Sequence, residues 1–182
     1  MNTPTLLLPW EWTMADWSFG VDTKDVDKLL NSCADPDMRL HLARSMSVAG
    51  AKVIVDEAVK RAPVYKPGVG RNGKKQRINA VSAANAGALR DAIYQAYRDQ
   101  LSSANRVIYS VSWNSTKAPH GHLVEFGHWL VSGKGGNRRV IKWVPAYPFL
   151  RPAYDAKKKA AVAQMIKRGR ERLPELLREG MK

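Results

Sequence analysis

The chain contains one cysteine, Cys33, in 182 residues. One thiol closes no intrachain disulfide, and without a cysteine cluster there is no thiolate zinc site. A reducing, intracellular place of synthesis fits. Acidic residues are also scarce: 16 Asp and Glu stand against 30 Lys and Arg, for a net charge of +14. No apolar run approaches the roughly 20 residues needed to cross a bilayer, so no membrane role is expected. The opening residues include Leu6, Leu7 and Leu8 but no basic stretch ahead of them, which does not fit a signal peptide. No internal repeat is present.

What is there is enough for one domain with a proper core, since 45% of the residues are hydrophobic. The excess of cations favours an acidic counterpart, whether nucleic acid, an anionic surface or an acidic protein face. The organisation reads as an N-terminal arm over 1–20, a single domain over 21–178 and a short tail over 179–182. The arm carries Trp10, Trp12, Trp17 and Phe19 with no clear period. It either packs on its own domain or docks on a neighbouring subunit. Residues 66–84 read as a long exposed loop, with Lys66, Arg71, Lys74, Lys75 and Arg77 among Gly68, Gly70 and Gly73. A loop of that length is either solvated and disordered or ordered by contact with a partner.

Asp22 to Asn31 reads as a short helix with Val26, Leu29 and Leu30 on one side. Asp35 and Pro36 mark a second start, the aspartate as N-cap and the proline at the first helical position. That helix is expected to run to about Arg61, with Met38, Leu42, Met46, Ala49 and Val53 as its apolar stripe and Gly50 at a close approach to another element. Gly87 to Ile93 is expected to open a further helix, with Leu89, Ile93 and Ala96 on one face. Arg106 to Trp113 alternates as a half-buried strand, and Arg139 to Val144 reads as another. Between these strands, His122 to Val131 is apolar around one acid, and Gly133 to Asn137 is a turn. A basic helix from Pro152 carries the stripe Tyr154, Ala161, Val162, Met165, Leu173 and Leu176. Lys158 interrupts that stripe and is expected to snorkel, while Pro174 is expected to kink or end the helix. The fold expected from these elements is α+β, a small antiparallel sheet packed against long helices.

Catalytic chemistry is hard to find. His120, His122, Glu125 and His128 form the order H-x-H-x-x-E-x-x-H, whereas a metalloprotease helix needs two histidines four apart with a glutamate beside the first. These histidines read as structural or surface residues. The glycine clusters lack the strand–loop–helix setting of a phosphate cradle, and no serine has an acid–base frame. No enzyme, cofactor or metal is expected. Glu125, set in Leu123-Val-Glu-Phe126, needs a partner if buried. Arg151 and Arg90 are the candidates, and such a pair would pin the sheet to a helix.

The most constrained stretch is Pro145-Ala-Tyr-Pro-Phe-Leu-Arg-Pro-Ala153. Pro145, Pro148 and Pro152 stiffen the backbone, and Phe149 and Leu150 between them are apolar anchors. With Ala62-Pro63-Val64, Gly87-Ala-Leu-Arg90 and Leu123-Val-Glu-Phe-Gly127 before it in that order, the chain resembles, over about 21–170, the tail-component family of lambda-like and Hong Kong-type tailed bacteriophages, the tail-completion or head–tail joining proteins. The resemblance implies a small α+β virion protein without catalysis. It would assemble as a homo-oligomeric ring, expected to be hexameric, in the neck or at the head-proximal end of the tail, after synthesis in the host cytoplasm. Its implied partners are terminator, tube or connector proteins, with the positive charge facing either DNA in the channel or an acidic connector. His128-Trp129, the long basic loop and the aromatic arm depart from the family pattern. The competing reading is a sequence-independent nucleic-acid-binding protein, which the charge supports and the lack of a recognised reading motif does not.

Overall fold

A computed structural model describes residues 24–33, 35–64, 87–103, 106–132 and 139–180. Two long helices form its frame: α2 (Pro36–Arg61) and α5 (Leu150–Gly180). The start of α2 follows from its sequence, with Asp35 accepting a hydrogen bond from the Asp37 amide and Pro36 in the first turn. The short helix α1 (Lys24–Asn31) lies against both long helices.

The long helices run antiparallel and meet through glycines. A Cβ on Gly50 would stand 2.6 Å from Met165 Cγ, and one on Gly169 would stand 2.9 Å from Met46 Sδ. Met46 and Gly50 are one turn apart on α2, and Met165 and Gly169 are one turn apart on α5. Each helix therefore presents a methionine to the other's glycine. The expected stripe on α2 accordingly drifts: beyond Met46 the buried line passes through Gly50, Ala58 and Ala62 rather than Val53.

One core cluster lies to each side of this crossing. In the first, Val26, Cys33, Leu42, Met46 and Leu176 are buried, with Met38, Val162, Met165 and Leu173 against them. Burial there pushes the Cys33 thiol pKa up from its ordinary value. The second joins Ala58 and Ala62 of α2 to Ala153 of α5, Phe149, Leu89, Ala92, Ile93 and Ala118.

The expected helix from Gly87 is a single short turn, α3 (Ala88–Ala92), and the chain then continues as β1 (Ile93–Tyr97). Ile93-Tyr-Gln-Ala-Tyr97 is rich in residues that suit a pleated surface, and β2 (Tyr109–Trp113) lies opposite it in antiparallel register from Ile93↔Trp113 to Tyr97↔Tyr109. This sheet packs on α2. Arg44 of α2 holds its far end, with its guanidinium 4.7 Å from the centre of the Tyr97 ring. A second antiparallel pair, β3 (His128–Ser132) and β4 (Arg139–Val144), follows the helical turn α4 (Gly121–Phe126). The fold is thus α+β, with two separate two-stranded sheets among the described residues.

Helix α5 begins at Leu150, two residues before the expected start, and does not end at Pro174. Proline removes one amide from the ladder, but Pro174 is on the exposed side, where water can satisfy the freed carbonyl. Leu173 and Leu176 beside it pack into the first cluster. Arg172 bridges Glu175 at 2.6 Å across the same turn and Glu179 at 3.3 Å two turns along. Lys158 extends over Tyr154, its ammonium 6.0 Å from the ring centre. The expected arm (1–20), the basic loop (66–84), the 133–137 turn and the last two residues of the tail lie outside the described residues.

Candidate assembly interface

The segments 121–127 and 145–153, far apart in sequence, build one joint. After β4, the chain from Pro145 runs extended along α4, and the Tyr147 amide donates to the Val124 carbonyl at 2.7 Å. One residue further along α4, the Glu125 carboxylate accepts three amide hydrogen bonds: from Phe149 at 2.7 Å, Leu150 at 3.1 Å and Arg151 at 3.2 Å. These amides open α5, and the first amides of a helix have no partner within it. A negative charge there also complements the positive end of the helix dipole. Glu125, 6% exposed, is therefore a cap delivered from another element.

Of the two expected partners of Glu125, Arg151 and Arg90, the second is corrected. Arg90 donates through Nε to the Ala62 carbonyl at 2.9 Å, tying α3 to the end of α2. Arg151 meets Glu125 through its backbone amide. Amides ringing a carboxylate at a helix start offset much of its burial.

Phe149 is fully buried and meets Trp113 edge-on, with ring centres 6.0 Å apart. Leu150 is half-buried against the same cluster. Pro148 is exposed and Pro152 half-buried. Gly127 follows α4 with φ +74°, and a Cβ there would stand 2.8 Å from Trp143 Cζ2 and from the Ala146 amide nitrogen. Only glycine both turns the chain this way and lets the Trp143 ring lie over it.

The joint carries the β3–β4 ribbon, which has no extended packing against any other described element. Its side chains are unusually apolar for their exposure: Trp129 is 58% exposed, Val140 64%, Ile141 57% and Trp143 46%. Trp129 and Trp143 face each other across the strands, with ring centres 5.2 Å apart. Phe126 and Tyr147, at the base, are exposed as well. None of these ribbon residues was among the sites expected from sequence. The signal was present in Trp129-Leu-Val131 and Val140-Ile141 on either side of a glycine-rich turn, which is a hairpin pattern.

Trp10, Trp12, Trp17, Lys66, Arg71, Lys74, Lys75 and Arg77, expected to make assembly contacts, lie outside the described residues. The cations of α5 from Lys157 onward divide into two groups. Lys157, Lys158, Arg168 and Arg172 of α5 are in ion pairs with Glu57, Asp155, Glu171 and Glu175. Lys159, Lys167, Arg170 and Arg178 are exposed and make no ion pair with a described residue. At 3.6 residues per turn they fall within about 100° of one another on the helix circumference.

His120 and His122 are exposed and His128 is half-buried. Among the described residues no group of three or more His, Cys, Asp or Glu is placed to hold a metal ion. No described helix is long and apolar enough to cross a membrane. In comparisons with known proteins, no family model, no curated protein and no solved structure matches this chain.

Proposed function

We propose that the chain is a structural protein of a tailed-phage virion, a neck or tail-completion subunit that forms a ring and joins or stabilises the head–tail junction. The observation that carries this reading is the joint. The two most distinctive segments of the family resemblance, Leu123–Gly127 and Pro145–Ala153, are spent on one another, through Glu125, Gly127 and the Phe149–Arg151 amides. Residues that hold two elements at a set angle suit a part whose work is mechanical. On this reading the chain is not an enzyme and needs no cofactor. Its partners are its own copies, in a ring taken to be hexameric, and terminator, tube or connector proteins. It is made in the host cytoplasm and ends in the virion.

The test is genetic. In the genome that encodes the chain, a portal, terminase or tape-measure gene is expected alongside. Deleting this gene is expected to leave DNA-filled heads and tails that do not join. Infectious particles at normal yield would refute the proposal.

A second reading, sequence-independent nucleic-acid binding, is favoured by the unpaired α5 cations. Contact with phosphates through Lys159, Lys167, Arg170 and Arg178 would give a log–log salt slope of about −0.9 per phosphate neutralised. Binding to duplex DNA that survives 0.2 M salt, lost on replacing these four by Ser or Gln, would promote this reading over the first.

A further inference from the structure

We propose that the β3–β4 ribbon is the surface through which one copy of this chain binds another. A two-stranded hairpin with no third strand or helix beneath it is marginally stable in water. This one is long enough to expose two tryptophans and several branched aliphatic side chains, and among the described elements it packs on none over any length. Its register places Trp129 opposite Trp143 and Val131 opposite Val140, so one face is wholly uncharged. Lys142 pairs with Leu130 on the other face, and Arg139 lies at the end of β4.

The size of the patch argues for a stable partner. A whole aromatic side chain buries about 150–250 Å², so at their exposures the four rings of the ribbon and its base, Trp129, Trp143, Phe126 and Tyr147, offer on the order of 450 Å². That is more than half of the roughly 800 Å² each side contributes to a standard interface, and within the ~300–600 Å² of the largest apolar patch on a typical monomer, a patch that is often functional.

Charge argues for a copy rather than an acidic protein. A chain of +14 repels itself over most of its surface. Copies are best joined where cations are missing, and the Trp129–Val131–Val140–Trp143 face is such a place. It offers an acidic partner nothing to pair with. Apolar faces of this kind are typical of permanent homo-oligomers. The strand edges agree. β4 is guarded by Arg139, Lys142 and a bulge opposite Leu130 and Val131, all devices that discourage edge pairing. β3 has no charge, proline or bulge, and its outer edge is unpaired among the described residues. The incoming copy is therefore placed on the uncharged face and the β3 edge.

This inference deepens the proposed ring and rests on that reading only for the ring's closure. The test uses the full chain, nuclease-treated, at 0.5 M salt, by analytical ultracentrifugation and amide hydrogen exchange between 1 and 100 µM. Self-association is expected, with exchange over 128–132 and 139–144 slowing as concentration rises. The variant carrying Val131→Lys and Val140→Lys is expected to associate at least 100-fold more weakly with unchanged helical circular dichroism, since the ribbon has no extended packing on any described helix. A chain that stays monomeric at 100 µM overturns the proposal. So does a ribbon whose exchange is slow at every concentration, which would mean it is covered within its own chain, or a variant that associates like the parent. Self-association through the ribbon by a protein whose deletion leaves virions intact would keep this inference and remove the neck reading; a monomer needed for head–tail joining would do the reverse.

Discussion

Glu125 shows how much one side chain can settle. Glu125→Gln keeps the shape but removes the charge, and the amide offers one accepting oxygen where the carboxylate offers two. Hydrogen bonds to charged groups contribute about 1.5–3 kcal/mol each, so a loss of roughly 2 kcal/mol is expected in urea unfolding, and a change below about 0.5 kcal/mol would contradict the capping role. Phe149→Ala empties a fully buried site against Trp113, and about 3–5 kcal/mol is expected from the same measurement. That Glu125 needs a partner follows from its apolar neighbours in sequence. That the partner is a set of backbone amides does not, because backbone donors carry no residue name. Phe149 stood out for the opposite reason: a large apolar side chain held between prolines has few places to go except inside.

At the scale of elements, the reciprocal methionine–glycine contacts between α2 and α5 set how closely the helices approach. Gly50→Ala brings a methyl against Met165, and overpacking of this kind costs about 1–3 kcal/mol. Adding Met165→Ala removes the clash, so the two substitutions are expected to be non-additive, the pair less destabilising than the sum of the singles. Additive losses would show that the glycine is there for another reason. Gly50 in mid-helix could be read as a close approach, and it is one. Its counterpart Gly169 could not be recognised, because its meaning depends on Met46 more than a hundred residues away. Of the strands, β2 was legible from alternation, though it begins at Tyr109 rather than Arg106, β4 was read as a short strand with its observed bounds, and β1 and β3 were not expected. Ile93–Tyr97 continues a helical spacing from Leu89, and only its pairing with β2 makes it a strand. His128–Ser132 continues the apolar run of α4, and the turn at Gly127 separates them.

At the scale of the molecule, a rigid helical frame holds a joint, and the joint holds an apolar ribbon out to solvent. Deleting 66–77 is expected to leave a folded chain with unchanged helical circular dichroism that fails to assemble into particles; normal particle yield with this deletion would remove the basic loop from the account. The α+β class was legible because helix caps, stripes and strand alternation are local signals. The proposed surface for assembly was not, because exposure is a property of the whole fold: Trp129 and Trp143 look like core residues until the ribbon is seen to lack extended packing on any other described element. The most direct measurement is an image of the purified virion at residue resolution. The account predicts a closed ring of this chain between head and tail, each ribbon seated on the neighbouring copy. A complete particle without the chain, or a ring in which the ribbons face solvent, would contradict it.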